Sequence, residues 1–236
     1  MRLTIHQPEH LPWLGFFSKV LAADAVVLLD TVPFRKNYFQ NRNRMLGRDG
    51  REFWATVPVR LDGHTTGEIR DVQIAPVSGW QRRYLGRIGA EYLRHPRFDE
   101  IFPPLRQLVD SAEGPIADLN ERIIRWIGRE IGGLPPMTRA SALVARGARS
   151  QLLVEICSEM GATTYLSGPQ GAAYLDVDEF RHRGIAVEFF EFRHPEYPQL
   201  GQARFCSHLS AVDLLMNEVS DPGLVLRAGG RCIPSS

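Results

Sequence analysis

The sequence contains few lysines and few cysteines, and both shortages limit what the protein can be. Lys19 and Lys36 are the only lysines among its 28 basic residues, and the others are arginines. The three cysteines, Cys157, Cys206 and Cys232, are too few and too scattered for a disulfide framework or a zinc site. We therefore expect free thiols in a reducing compartment.

Long apolar runs and an excess of charge are also lacking. No stretch approaches the ~20 apolar residues of a membrane span, and no signal peptide precedes the first apolar run. The net charge is +1, so bulk electrostatics attract neither nucleic acid nor an anionic membrane. We therefore expect a cytoplasmic protein with no membrane and no nucleic acid as specific targets, in which any anion binds to a local cluster.

Several catalytic signatures are absent as well. The chain has no Gly-x-Ser-x-Gly elbow, no His-Glu-x-x-His and no Cys-x-x-Cys. It also lacks the glycine spacing of a P-loop and of a dinucleotide fingerprint. Serine hydrolases and zinc enzymes are therefore disfavoured, and we predict neither a metal site nor a cofactor.

The segment from Arg2 to Arg44 is the one around which we expect the rest of the chain to be arranged. An apolar run, Leu3-Thr4-Ile5, stops at the polar elbow His6-Gln7-Pro8, and an amphipathic helix should begin near Pro12. A second apolar run, Ala25 to Leu29, reads as a buried parallel strand. This order of elements predicts the opening unit of an α/β sheet.

Beyond this segment, the pattern changes to helices from Ser78 to Gly132 and then returns to alternating strands and helices. We predict an α/β fold with a mostly parallel, Rossmann-like sheet and a helical lobe inserted in the middle of the chain. The predicted parts are an N-terminal α/β half (1–77, with a loop around His64), the helical lobe (78–135), a C-terminal half of the same sheet (136–220) and a flexible tail (221–236).

His6 is the first candidate for a catalytic residue. Ligands of open α/β sheets gather beyond the carboxyl ends of the strands, where His6, Gln7 and Asp30 should converge. An imidazole titrates near neutral pH, so His6 is suited to act as a general base or to orient a substrate; alternatively, its ring caps a backbone group. His10 either forms a pair with His6 or is exposed on the loop.

The run from Arg35 to Arg44 combines cations, amides and two aromatic residues, as an anionic ligand requires. The alternative is an ordinary solvated face. We expect ligand contacts here, with Lys36 as a second catalytic candidate. The predicted substrate-binding residues of the run are Asn41, Arg42, Asn43 and Arg44.

Two later loops also leave predicted strands at the same edge. Ser167 and Gly168 begin a glycine-containing loop that either presents backbone N–H groups to an anion or makes a tight turn. His194 and Tyr197 lie in a proline-bracketed loop that either binds a polar ligand or packs on itself. We include all four in the predicted binding site, whereas no motif supports Cys206 as a nucleophile.

Several sequence blocks, in order from residue 5 to about residue 217, match a known family. They are His6-Gln7-Pro8, Pro12-Trp13-Leu14-Gly15-Phe16-Phe17, Gln40-Asn41-Arg42-Asn43-Arg44, Thr56-Val57-Pro58, Ala162-Thr163-Thr164-Tyr165-Leu166-Ser167-Gly168-Pro169, Tyr174-Leu175-Asp176, Tyr197-Pro198-Gln199 and Leu209-Ser210-Ala211-Val212-Asp213-Leu214-Leu215. In these blocks the chain resembles the WbqC-like family of bacterial polysaccharide and natural-product gene clusters. Some members of that family are described as glycine or aminoacyl transferases.

The resemblance implies which positions carry the family signature. They are His6, Gln7, Lys36, Asn41, Arg42, Asn43, Ser167 and Tyr197. One departure is Glu9-His10, where the family commonly has Asn-Tyr, and it argues against His10 as a shared catalyst.

Three functions remain open at this level. The first is an enzyme that transfers an aminoacyl (glycyl) group to an amino or hydroxyl acceptor, with His6 as the base and with an anionic small-molecule substrate. An aminoacyl donor or a carrier protein would be its partner. The second, by analogy of fold, is a nucleotidyl- or adenylate-forming enzyme. The third is a non-catalytic binding protein of a biosynthetic cluster, and the oligomeric state stays open.

Overall fold

A computed structural model describes residues 1–60 and 67–235, so the loop predicted around His64 lies outside the described residues. The strands in this part of the chain are β1 (Arg2–His6), β2 (Ala25–Leu28), β3 (Arg42–Leu46), β4 (Glu52–Thr56), β5 (Met137–Arg139), β6 (Thr164–Ser167), β7 (Ala186–Phe192) and β8 (Gly230–Pro234). Six of them form a sheet with the order β5-β2-β1-β6-β7-β8. The first five strands in that order are parallel, and β8 is antiparallel to β7.

Helices cover both faces of the sheet because the side chains of each strand alternate between the faces. Leu3 and Ile5 pack with α5 and α6 on one face, whereas Val26 and Leu28 pack with α1 on the other. The helices are α1 (Leu14–Leu21), α2 (Trp80–Tyr92), α3 (Phe98–Asp110), α4 (Ile116–Glu130), α5 (Arg149–Glu159), α6 (Val177–His182), α7 (Ala211–Met216) and α8 (Pro222–Ala228). The predicted α/β fold with a mostly parallel, Rossmann-like sheet is confirmed.

Helices α2, α3 and α4 form the helical lobe, and they share one hydrophobic core with α1 and α7. Helix α4 turns an apolar stripe inward, and Leu119, Ile123 and Ile127 on it are at most 1% exposed. The lobe therefore packs against the α1 side of the sheet and reaches the elbow that follows β1.

Strands β3 and β4 form a separate antiparallel hairpin. Its turn contains Asp49-Gly50, a dipeptide typical of hairpin turns, and Gly50 has a φ of 77°. The sequence analysis treated residues 42 to 44 as part of a ligand-binding run or a solvated face, because their apolar residues show no strand periodicity. In the structure these residues belong to β3. The alternation is present in another form, because Asn43 points inward and bonds backbone oxygens while Arg42 and Arg44 stay more exposed.

The C-terminal residues differ from the predicted flexible tail. They form α8 and β8, and β8 completes the sheet by pairing with β7, with Phe190 opposite Cys232. Leu226 of α8 is fully buried, and its carbonyl accepts a hydrogen bond from Ser18 of α1 at 2.7 Å. Pro222, Gly223 and Leu226 are buried although the segment is rich in glycine, which a reading by composition alone misses.

Candidate active site at the elbow

The elbow, which we define as residues 6 to 11, leaves β1 between the neighbouring strands β2 and β6. The Nδ1 of His6 lies 3.0 Å from the carbonyl oxygen of Gln7. A carbonyl only accepts, so Nδ1 carries the proton and Nε2 keeps its lone pair. Burial, and secondarily the charge of Lys19, lowers the pKa of His6 to about 3, so the ring is neutral at neutral pH.

The His6 ring is packed against a neighbouring side chain but stays partly exposed to solvent. It packs edge-on against Phe16 of α1, with 4.6 Å between the ring centroids. Its side chain nevertheless keeps 22% of its surface exposed. Part of the imidazole ring is therefore accessible beyond the carboxyl end of β1.

Two charged residues join His6 beneath the elbow, and sequence analysis did not single out either of them. The Oε1 of Glu9 lies 3.9 Å from the Nε2 of His6, and the Glu9 side chain is 9% exposed. Its Oε2 is buried and has no hydrogen-bond partner. Lys19, on the inner side of α1, is 6% exposed. We refer to His6, Glu9 and Lys19 as the acid–base cluster.

Burial moves the pKa values of Glu9 and Lys19 toward each other. It raises the pKa of Glu9 to about 8, with the charge of Lys19 acting in the opposite sense. It lowers the pKa of Lys19 to about 8, and the charge of Glu9 acts against that shift. Perturbed titratable groups gathered at a strand end are typical of an active site.

The elbow itself is rigid because its polar groups are bonded to the helical lobe. His10 is fully buried, with Nδ1 3.1 Å from Asn120 Oδ1 and Nε2 2.8 Å from the Tyr84 hydroxyl. The Nδ2 of Asn120 donates to the carbonyls of Pro8 and Gln40. Both nitrogens of His10 are therefore occupied, and His10 does not act as a partner of His6 toward a ligand.

Asn43 and Gln40 bond to the elbow from the other side. Asn43 donates to the carbonyl of Leu11 at 2.9 Å and to that of His10 at 3.3 Å. Leu11 has a φ of 42°, which an L residue adopts only when its surroundings hold it there. Gln40 Nε2 donates to Gln7 Oε1 at 2.8 Å. Predicted residues Gln7 and Asn43 thus meet at the elbow, where they fix its shape.

The other predicted residues of the 35–44 run lie around this contact. Lys36 is exposed on a turn. Asn41 is buried and donates to the carbonyl of Val57, while its Oδ1 has no partner. Arg42 stacks on the Trp54 ring at 4.1 Å, and Arg44 pairs with Glu52 at 3.0 Å. Among these cations, Lys36 is the one that projects into solvent.

Asp30 and the loop after β6 have local partners. Asp30 is fully buried and accepts hydrogen bonds from the backbone N–H and the hydroxyl of Ser141 at 2.9 and 2.6 Å. Ser167 follows Leu166, which pairs with Thr4 of β1, and is therefore near the elbow. Its hydroxyl donates to the carbonyl of Gly168 at 3.1 Å.

His194 and Tyr197 belong to a loop that is bonded to α7. The Tyr197 hydroxyl donates to Asp213 at 2.8 Å, and Tyr92 donates to the other oxygen of the same carboxylate at 2.5 Å. His194 Nδ1 bonds the carbonyl of Pro195, and its Nε2 is buried without a partner. These two residues lie in an aromatic group that includes Phe205.

Comparison with known proteins shows the family to which the chain belongs. The sequence profile of the WbqC-like protein family matches residues 7–222. The chain belongs to the WbqC-like family. It is also similar to "Uncharacterized protein Rv1507c" of Mycobacterium tuberculosis (strain ATCC 25618 / H37Rv), with 26% identity over 218 residues that cover 92% of this chain and 93% of the relative. No solved structure matches the chain.

Two features are absent from the part of this WbqC-like protein that the structure describes. No helix there combines the length and the apolar character of a membrane span. The same residues contain no group of three or more His, Cys, Asp and Glu side chains placed to hold a metal ion.

The sequence contains a signal for Lys19 that a search for motifs misses. Lys19 is the only charged residue of α1, whose other side chains are mostly apolar and buried. A lone lysine on such a helix is either buried at a cost or placed for chemistry. Glu9 carries a weaker signal, because a carboxylate in a proline-bracketed elbow usually faces solvent.

Proposed function

We propose that the protein is a small-molecule transferase of bacterial specialised or cell-surface polysaccharide metabolism. It moves an acyl group, with an aminoacyl group such as glycyl as the first candidate, to an amino or hydroxyl acceptor. The observation that supports this proposal is the neutral His6, whose Nε2 carries a lone pair and whose side chain stays partly exposed beyond the carboxyl end of β1. Such a nitrogen takes a proton from an acceptor while that acceptor attacks a carbonyl carbon, which requires that substrate binding raise the pKa of His6 from about 3 toward the working pH.

The rigid elbow supports the same proposal. A general base is effective only when its lone pair is held near the proton that it removes. Asn120 and Asn43 bond the backbone on either side of the elbow, so His6 needs little rearrangement when a substrate binds. We therefore assign His6 the role of general base and the elbow the role of its support.

An anionic part of the substrate would bind along the 35–44 run. Lys36 is exposed, and Arg35 next to it stacks on Tyr38 with 5.1 Å between the guanidinium carbon and the ring centroid. These two cations are available to a phosphate or a carboxylate. The donor would then be an activated aminoacyl group, free or attached to a carrier protein.

The test uses a chemically activated donor, since the natural one is unknown. Purified protein is incubated with a glycyl thioester of N-acetylcysteamine and with hydroxylamine as acceptor, and glycine hydroxamate is measured. We expect His6→Ala to lower the rate about 100-fold or more, because general base catalysis contributes a factor of that order. The exposed His182 provides the matched control, and His182→Ala should leave the rate unchanged.

Both variants should show the wild-type circular dichroism spectrum, so that a lost activity is not a lost fold. Full activity in His6→Ala would remove His6 from the mechanism. Hydroxamate formation that is no faster than in buffer, for the wild-type protein, would count against transfer to this acceptor and against the proposed function.

A further inference from the structure

We propose that Glu9 is the general acid of this site and that Lys19 is the positioning residue that stabilises Glu9 after it has lost its proton. The inference rests on the proposed transfer function and adds the group that protonates the leaving group.

The surroundings of Glu9 favour the protonated form of its carboxyl group. Its Oε2 is buried and receives no hydrogen bond, and among the described residues no ion pair of 4.0 Å or less joins Glu9 to Lys19. A carboxylate that is nine-tenths buried without a donor is costly, whereas a protonated carboxyl group is tolerated. The geometry therefore describes Glu9 as an acid that holds its proton.

The protonation state of His6 is complementary to that of Glu9. Its Nε2 has a lone pair and lies 3.9 Å from Glu9 Oε1. Burial keeps the imidazole neutral and keeps the carboxyl group protonated, so the two groups are in opposite protonation states at the same pH. Titratable neighbours whose environments shift them in this way are typical of acid and base pairs.

His6 and Glu9 together account for every proton that an acyl transfer moves. The acceptor forms a bond to the acyl carbon and gives its proton to His6 Nε2. The bond between the acyl carbon and the leaving group breaks, and Glu9 gives its proton to the leaving oxygen or sulfur. The resulting Glu9 carboxylate lies next to the His6 imidazolium and near the Lys19 ammonium. The proton then returns from His6 to Glu9, so the net result is transfer of one proton from acceptor to leaving group.

A simple buried ion pair is the competing interpretation of Glu9 and Lys19. It predicts an ionised Glu9, a direct contact between the two charges and no effect that depends on the leaving group. The absence of a contact within 4.0 Å argues against it. The two experiments below separate these interpretations.

The first experiment measures protonation without any substrate. In protein labelled with ¹³C at the glutamate side-chain carboxyls, one resonance should titrate near pH 8, where burial places the pKa of Glu9, and Glu9→Gln should remove it. Glu113→Gln, at an exposed glutamate, should remove an ordinary resonance instead. Lys19→Met should move the Glu9 midpoint to higher pH, because Lys19 favours the carboxylate. A Glu9 that is already ionised at neutral pH overturns the proposal.

The second experiment measures transfer to hydroxylamine from two glycyl esters. The p-nitrophenyl ester has a leaving group that departs without a proton, whereas the ethyl ester needs one. We expect Glu9→Gln to slow the ethyl ester about 100-fold and the p-nitrophenyl ester by less than about threefold, whereas His6→Ala slows both. Glu9→Asp should recover part of the ethyl ester activity.

The outcomes distinguish failure of the acid role of Glu9 from failure of the transferase proposal. An equal loss with both esters in Glu9→Gln overturns the acid role while leaving the transferase proposal in place. A wild-type protein that uses neither ester counts against the transferase proposal, and against the acid role with it, whatever the titration shows.

Discussion

Two buried polar clusters of the molecule differ in how their groups are bonded. In the first, the carboxylate of Asp213 accepts hydrogen bonds from Tyr92, Tyr197 and Gln199. In the acid–base cluster, Glu9 and Lys19 are as deeply buried, but Glu9 Oε2 has no donor. Buried polar groups are almost always satisfied, so an unsatisfied one calls for another explanation.

The hydrogen bonds of Asp213 are those of a group that stabilises the fold, whereas the unpartnered oxygen of Glu9 is the basis for the proposed acid role. The same contrast separates His6 and His10, which are four residues apart in the elbow. Both nitrogens of His10 have hydrogen-bond partners in the protein, whereas among the described residues His6 makes a hydrogen bond through Nδ1 and none through Nε2. Removing a polar group that has hydrogen-bond partners should lower the stability of the protein. Removing one that has no partner should lower its activity instead.

The largest effect on stability should come from Asp213. Asp213→Ala leaves the hydroxyls of Tyr92 and Tyr197 and the amide of Gln199 without their acceptor. We expect the free energy of unfolding to fall by about 4 kcal/mol, measured by urea denaturation. Asp110→Ala, at an exposed aspartate, should change it by less than about 0.5 kcal/mol. A small effect in Asp213→Ala would mean that this cluster is not a structural one.

Acid should destabilise the protein through the buried histidines. Burial lowers the pKa of His10 to about 4 in the folded protein, compared with about 6.5 in the unfolded chain. The unfolded chain therefore binds more protons, and the stability that His10 contributes is present above pH ~6.5 and is lost as the pH falls toward 4. We expect a loss of about 3 kcal/mol from this residue.

The comparison that isolates this effect is His10→Leu, which cannot titrate. Its free energy of unfolding should be lower than that of the wild type at neutral pH, because Tyr84 and Asn120 lose their partner. Between pH ~6.5 and 4, however, urea denaturation should show a smaller decrease for His10→Leu than for the wild type. Equal decreases would show that His10 is protonated without cost.

The smallest stability effect should have the opposite sign. Lys19→Met replaces a buried cation by an apolar side chain of similar length, and we expect the protein to become more stable by about 1 kcal/mol. The exposed Lys36 is the control, and Lys36→Met should leave the free energy of unfolding nearly unchanged. A marked loss of stability in Lys19→Met would place Lys19 among the satisfied groups and remove the contrast between the two clusters.

Sequence analysis located the elbow and the order of the surrounding elements because hydrophobic periodicity is a local property. The run before His6, the apolar stripe of α4 and the turn at Gly50 could each be read from a few neighbouring residues. The tail was misread for the same reason. Its composition is that of a loose end, but pairing with β7 depends on a strand that lies about forty residues earlier.

The candidate site was only partly predictable. His6 and Gln7 follow a strand, so the general rule for open sheets finds them. Asn43 and Tyr197 were chosen for their chemistry, and the structure shows that their polar groups bond to the elbow backbone and to Asp213. Family resemblance could not separate these roles, because positions of structural and of chemical importance both form part of a signature.

By itself, the sequence determined the α/β class, the position of the elbow and the family, since all three depend on residues that are close together or in a fixed order. Only the tertiary structure decided which polar residues of the elbow have partners. Lys19 comes within the electrostatic reach of His6 and Glu9 because α1 folds back over β1. Burial then sets the protonation of all three, and burial is a property of the whole fold.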